Sequence, residues 1–306
     1  MRLITRSDFD GLACGALLEE IGVVDDYLFV HPKDVQDGKV AVTKDDVLAN
    51  VPLVPGCGLW FDHHLSEVER LRTVKQHPFV GSSRPAPSCA RVIYDYYGGA
   101  AKFKKFDDSG LMWAIDKSDA GNLTAEEITH PTGWILLSFI MDSRTGLGRF
   151  KDYRISNYDL MKEMIGHLRT LPVEQILAHP DVKPRVDRYF TQETDYREMI
   201  RVHGRLEGTV LAIDLRNVPE ILSGNRFAEY ALFPQANVSI RAIWGRENRN
   251  VVFTVGHSIL NRTCKVNVGS LMLKYGGGGH PQVGTCQVDT ALADATLAKL
   301  VAELQG

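Results

Sequence analysis

The chain of 306 residues contains no pair of cysteines at CxxC spacing. Its five cysteines, Cys14, Cys57, Cys89, Cys264 and Cys286, are scattered and odd in number. Neither a disulfide framework nor a structural zinc site is expected from that pattern, and a reducing cytoplasm is the simplest compartment. The chain also lacks an apolar run near the roughly 20 residues that span a bilayer, so no membrane partner is expected. Its opening, MRLITRSDFDG, meets carboxylates early and has no apolar signal core. Low-complexity tracts and internal repeats are missing too. So is an excess of either charge: 35 Lys and Arg against 38 Asp and Glu leave a net charge of −3. Without a global positive field, long duplex nucleic acid is not an expected partner.

What the chain has is an ordinary globular balance, with 44% apolar and 24% charged residues. Its length favours two domains. RLIT, DYLFVH, DVLANV and CGLWFD have the length and composition of strands. Between and after them, FDGLACGALLEEI carries apolar residues at roughly helical spacing, and PSCARVIYDYY opens on the proline and serine of a helix start. This alternation predicts an α/β fold with a mostly parallel sheet, in which ligands gather at the carboxyl ends of the strands. The stretch from Tyr153 to Arg205 reads as helical. From Leu206 the character changes to the β-branched runs GTVLAIDL, ANVSIRAIWG and NVVFTVGHSI, then a glycine-rich segment and a final helix. The expected layout is an N-terminal domain over 1–185, a helical linker over 186–205 and a smaller α/β domain over 206–306.

Five stretches carry chemistry. In SDFDG, Asp8 and Asp10 follow a strand and precede Gly11. Such a pair suits a hard divalent cation, although Asp8 also fits a helix N-cap and Asp10 a first-turn dipole partner. In LWFDHH, Asp62, His63 and His64 stand together at a strand end. Added imidazoles tilt the choice of cation toward Mn²⁺, and a polar surface loop is the plainer alternative. AIDKSDAG offers Asp116 and Asp119 after the apolar Leu111–Ile115, as further ligands or as a helix-ending turn. KYGGGGHPQVG presents Gly276 to Gly279 and then His280. Glycines allow close backbone approach, and their amides can form an anion nest. No GK[ST] follows, so this is not a Walker A loop, and a flexible loop is the alternative. Arg262 in HSILNRT is a fork suited to phosphate or a surface arginine.

The SDFDG, the DHH about fifty residues later, the aspartate after a further apolar segment and the C-terminal GGGGH resemble the DHH phosphoesterases that carry a DHHA1 domain. The resemblance covers the whole chain. That family includes exopolyphosphatases, RecJ-type exonucleases, oligoribonucleases, 3′-phosphoadenosine 5′-phosphate phosphatases and cyclic-dinucleotide phosphodiesterases. It implies a two-lobed protein with its active site in the cleft: a DHH domain holding Mn²⁺, as one ion or two with Mg²⁺ as the alternative, and a DHHA1 domain binding substrate phosphate. Carried over by position, Asp8, Asp10, Asp62, His64, Asp116 and Asp119 are the metal-ligand set, with Asp116 and Asp119 as alternatives for the last place. Asp62, His63 and His64 are the catalytic motif. Arg6, His63, Ser88, Arg262, Gly277, Gly278, Gly279 and His280 form the substrate-binding set, and Arg144 and Arg149 offer further phosphate attraction. The implied reaction is hydrolysis of a phosphoanhydride or phosphoester by metal-activated water, on a small phosphorylated, polyphosphate-like substrate. A phosphodiesterase for short oligonucleotides or dinucleotides and a low-activity phosphate or nucleotide sensor are the alternatives, and a homodimer is left open. Two positions depart from the family pattern. Arg6 stands where a histidine is usual, and Asn50 stands where an aspartate often bridges two metals. Either one metal binds in place of two, or Arg6 neutralises a substrate phosphate in place of the lost cation.

Overall fold

RLIT becomes strand β1 (Arg2–Thr5), and the helix that follows it is α1 (Phe9–Glu20). The computed structural model describes residues 1–64, 67 and 78–305. Four further strands, β2 (Asp26–Phe29), β3 (Asp46–Ala49), β4 (Leu59–Asp62) and β5 (Gly81–Ser83), join β1 in a five-stranded sheet of order β2-β1-β3-β4-β5. Every pairing in it is parallel. β3 and β4 are buried nearly end to end, as strands covered on both faces must be. On one face Ile4, Leu48 and Trp60 meet Val35, Val51 and Leu53. The Trp60 indole donates to the Val51 carbonyl at 2.9 Å, so its one polar atom is satisfied in the core. Each such buried apolar side chain contributes about 1.5–3 kcal/mol.

The strand order reverses between β1 and β3, which is where ligands bind in open parallel sheets. Gly11 is required at this edge. A Cβ there would lie 2.2 Å from the Arg6 carbonyl oxygen and 2.8 Å from Thr5 Oγ1, so only glycine lets α1 start this close to the end of β1. The short helix α2 (Pro32–Gln36) follows β2. The helices α3 (Cys89–Tyr96), α4 (Ala100–Asp108) and α5 (Leu111–Asp119) follow β5.

The chain divides into two compact units. One comprises 1–122 and 131–188, the other 123–130 and 189–306. The first also contains α7 (Gly133–Met141), α8 (Asn157–Thr170) and α9 (Val173–Leu177). The second begins with the small helix α6 (Ala125–Thr129), a segment that the expected layout keeps within 1–185. Helix α10 (Lys183–His203) passes from one unit into the next. The second unit holds a six-stranded mixed sheet of order β10-β11-β9-β8-β7-β6. Its strands are β6 (Gly204–Glu207), β7 (Val210–Asp214), β8 (Val238–Trp244), β9 (Asn250–His257), β10 (Gly278–His280) and β11 (Val283–Asp289). Only β7 and β8 run parallel. The helices α11 (Ala228–Leu232), α12 (Val268–Leu273) and α13 (Ala293–Gln305) belong to this unit. Ala212, Ile240 and Phe253 from the sheet and Leu300 and Leu304 from α13 share one core cluster.

The α/β expectation, with a parallel sheet followed by a second α/β unit, is met. The five cysteines are free thiols. Among the described residues no helix is long and apolar enough to cross a membrane.

Candidate active site

The loops at the carboxyl ends of β1, β3, β4 and β5 each deliver polar groups to one edge of the parallel sheet. Asp8 caps α1, its Oδ1 accepting from the Gly11 amide at 3.0 Å. That same oxygen accepts from Asn50 Nδ2 at 3.3 Å, and Oδ2 pairs with Arg6 Nε at 2.9 Å. Both oxygens of Asp8 are therefore engaged. Asn50 sits just past β3 in the left-handed region, φ 59°, which asparagine tolerates better than most residues. It is buried, and its Oδ1 has no partner among the described residues.

Asp10 is 2% exposed. Its carboxylate lies at the N-terminus of α3, accepting from the Cys89 amide (2.9 Å) and the Ala90 amide (2.9 Å). A helix N-terminus is where a buried negative charge is best tolerated. Even so, lost hydration raises the Asp10 pKa. His63 lowers it, Asp8 adds to the rise, and the two amides offset part of it.

His63 and His64 are oriented by different partners. His63 Nδ1 lies 3.2 Å from the Ala86 carbonyl oxygen, which only a protonated nitrogen satisfies, so the acceptor position of the neutral ring is Nε2. That atom lies 3.3 Å from Asp119 Oδ2 and 3.9 Å from Asp10 Oδ2. Asp10, His63 and Asp119 bring one donor atom each within 4.8 Å of one another. His64 is held instead by Asp62, which is fully buried: Oδ1 lies 2.9 Å from His64 Nδ1, and Oδ2 accepts from the His64 amide at 3.1 Å. The carry-over by position sets His64 on the metal and His63 toward phosphate. The geometry puts His63 beside Asp10 and Asp119, and His64 beside Asp62.

Asp116 and Asp119 stand one turn apart on α5 with different neighbours. Asp116 accepts from Ser88 Oγ at 2.7 Å and, on its other oxygen, from Arg91 Nε (2.9 Å) and Arg91 Nη2 (2.6 Å). Ser88 is fully buried, and it also caps α3 by accepting from the Arg91 amide at 3.0 Å. Its hydroxyl proton is thus directed at Asp116. Asp119 is the last residue of α5. Its side chain keeps 29% exposure, yet within the cluster lost hydration, then the charges of Asp10 and Asp8, raise its pKa well above the ordinary 3.8, while His64 and Arg6 pull it down. A cluster of carboxylates that resist ionising together, with an imidazole nitrogen facing them, is a donor set matched to a divalent cation. Arg144 also feels this cluster. Lost hydration works against its charge, but Asp142, then Asp8 and Asp119, outweigh it and raise its pKa. Its guanidinium is held on Asp142 by Nε at 2.7 Å and Nη2 at 2.9 Å.

Arg149 lies exposed in the first unit, its guanidinium 4.9 Å from the Phe150 ring centroid, and the remaining named residues lie in the second unit. Arg262 is exposed, and its Nε donates to the Ile259 carbonyl at 3.1 Å. The amides of Gly276 and Gly277 donate to Leu273 O (3.2 Å) and Met272 O (2.9 Å), closing α12. Gly278, Gly279 and His280 form the edge strand β10, paired with Thr285, Gly284 and Val283. The run is thus partly a helix cap and partly a strand. His280 is exposed on that strand. The contributions of the Ala86 carbonyl and of the Cys89 and Ala90 amides escape a sequence reading, because backbone groups leave no residue-type signature.

No protein-family model and no curated protein matches the sequence. Solved structures do. The pGpG-specific phosphodiesterase PggH from Vibrio cholerae is 44% identical, with a TM-score of 0.84, covering 99% of this chain and 98% of that one. The DHH domain of a member of a ribosomal-protein family is 12% identical, with a TM-score of 0.59, covering 99% and 86%. An exopolyphosphatase-related protein from Bacteroides fragilis is 12% identical, with a TM-score of 0.52, covering 100% and 93%. The last two likenesses speak to the fold alone. On the first, with the DHH motif at the carboxyl end of β4, the chain belongs to the DHH phosphoesterases, enzymes that hydrolyse phosphoester bonds.

Proposed function

We propose that the protein is a divalent-metal-dependent phosphodiesterase that cleaves a linear guanine dinucleotide, pGpG, into mononucleotides. The donor trio of Asp10, His63 and Asp119, within 4.8 Å, carries the metal part of this reading. The 44% identity to the pGpG-specific enzyme over nearly the whole chain supports the substrate. The polyphosphate substrate placed first from sequence is supported only by a 12% likeness, which reaches no further than the fold. The order of the two readings is therefore reversed.

In this reading Asp10, His63 and Asp119 hold Mn²⁺ or Mg²⁺, whose chemistry is Lewis acidity toward the phosphoryl group and a nucleophile at neutral pH. The chain's own residues do the positioning. Ala86 sets the His63 tautomer that leaves Nε2 facing the carboxylates. The α3 amides keep Asp10 in place against its own burial. Asp62 fixes the His64 ring, whose side chain remains 27% exposed, so His64 is placed to hold or pass a proton at Nε2. Asp116 is not in the ligand set of this proposal, because Ser88 and Arg91 already occupy both of its oxygens.

The test is product analysis by purified protein with Mn²⁺ on pGpG, pApA, pyrophosphate, 3′-phosphoadenosine 5′-phosphate and polyphosphate, with Asp119→Asn as control. GMP release from pGpG, faster than AMP release from pApA and lost in the variant, is expected. Phosphate release from polyphosphate without GMP from pGpG would overturn the substrate. No release from any substrate would favour the sensor alternative.

A further inference from the structure

Resting on the metal-dependent reading above, we infer that this site takes one divalent cation, and that Arg6 supplies the second positive charge, directed at a substrate phosphate. Two positions carry the inference, and both touch Asp8. Arg6 Nε lies 2.9 Å from Asp8 Oδ2, so a guanidinium already occupies the outer oxygen of that carboxylate. Asn50 Nδ2 donates to the inner oxygen at 3.3 Å. A cation seated on Asp8 would have to displace a hydrogen-bond donor and lie beside a like charge. Asn50 adds a neutral oxygen and no charge, so nothing at this position holds two cations close together.

Asp10 and Asp119 offset a single divalent cation bound with the neutral His63. Asp8 is offset by Arg6, and Asp62 is bonded to His64. The buried Oδ1 of Asn50, without a partner among the described residues, is a neutral acceptor where a carboxylate would bring a charge. Arg6 is also suited to reach outward. Its side chain is 34% exposed while the Asp8 it rests on is 16% exposed, so the fork sits at the mouth of the cluster. A planar guanidinium grips phosphate oxygens in pairs and keeps its charge at every working pH. The ligand class is a phosphodiester or terminal phosphate of the bound dinucleotide.

The first experiment counts the metal. Chelator-stripped full-length protein is titrated with Mn²⁺, bound metal is measured by equilibrium dialysis and elemental analysis, and spin coupling is read by electron paramagnetic resonance. One Mn²⁺ per chain with the six-line spectrum of an isolated ion is expected. The double variant Arg6→His, Asn50→Asp is expected to take a second ion and give a broadened, coupled spectrum. Two ions on the wild type would overturn the inference while leaving the proposed function standing. A double variant that still binds one would overturn the claim that these two residues exclude the second. No Mn²⁺ on the wild type would defeat the metal-dependent reading itself. In a second arm, Arg6→Ala should keep its single ion and lose on the order of 100-fold in kcat/KM on pGpG, with Arg6→Lys recovering part of it. Unchanged kcat/KM in Arg6→Ala would remove the phosphate role.

Discussion

Nε2 of His63 lies 3.3 Å from Oδ2 of Asp119, while Asp116, one turn back on the same helix, is bonded through both oxygens to Ser88 and Arg91. Two aspartates that look interchangeable in the sequence AIDKSDAG therefore have different neighbours, and substitution separates the roles proposed for them. Asp119→Asn should lose Mn²⁺ and, by the roughly 100-fold scale of a lost charge-stabilising group, most of its activity, with little change in melting temperature. Asp116→Asn weakens the pairing with Arg91 and costs about 1–3 kcal/mol of stability, with metal content unchanged. Thermal unfolding and metal analysis of both proteins check this. Metal loss in Asp116→Asn with retention in Asp119→Asn would reverse the assignment.

The glycine run offers a similar separation. A Cβ on Gly277 would lie 2.1 Å from the Thr285 carbonyl oxygen and 2.6 Å from Cys286 Cβ, so Gly277→Ala should destabilise the second unit by about 2 kcal/mol. A Cβ on Gly278 meets nothing within 4 Å. Gly278→Ala should therefore fold normally, and it isolates the ligand. If substrate phosphate approaches this backbone, the KM for pGpG rises without a fall in melting temperature. An unchanged KM would remove Gly278 from the substrate-binding set.

Acid sensitivity has a local source at Asp181. This carboxylate is 1% exposed and accepts from Arg154 Nε at 2.8 Å. Hydrogen bonding to Arg154 is the leading cause holding its pKa below the ordinary 3.8, against the cost of desolvation. A depressed carboxyl pKa stabilises the fold above the ordinary value, and that stabilisation is lost as pH falls through the lower, folded value. Asp181→Asn should be about 2 kcal/mol less stable at pH 7, and the gap should close as pH drops below 3.8. Chemical denaturation across pH measures it. A gap constant with pH would mean that packing, rather than charge, sets the loss.

Much of the first unit is legible in the sequence. RLIT, DYLFVH, DVLANV and CGLWFD each contain a strand of the parallel sheet, because buried parallel strands read as short apolar runs bounded by turns. The three residues of β5, GSS, carry no apolar signal and escape that reading. β6, GRLE, lies partly exposed at a sheet edge and reads as the end of a helical stretch. The glycine run reads as an anion nest or a flexible loop, yet part of it is strand. β-propensity is poor in glycine, and here the pairing with β11 outweighs it.

By itself the sequence determined which chemistry was available: carboxylates and imidazoles at strand ends, a DHH motif, and Arg6 and Asn50 in place of more usual residues. These are matters of residue type and local spacing, which the chain carries without folding. Only the tertiary structure decided which donors share a volume. Asp10 and Asp119 are far apart in sequence and meet because the start of α1 and the end of α5 lie at one edge of the sheet. The same packing turns Asp116 toward Arg91, sets the His63 tautomer through the Ala86 carbonyl, and pairs Asp8 with a guanidinium. Proximity between distant segments, and the choice each polar atom makes among its neighbours, are properties of the packed chain and have no local signature.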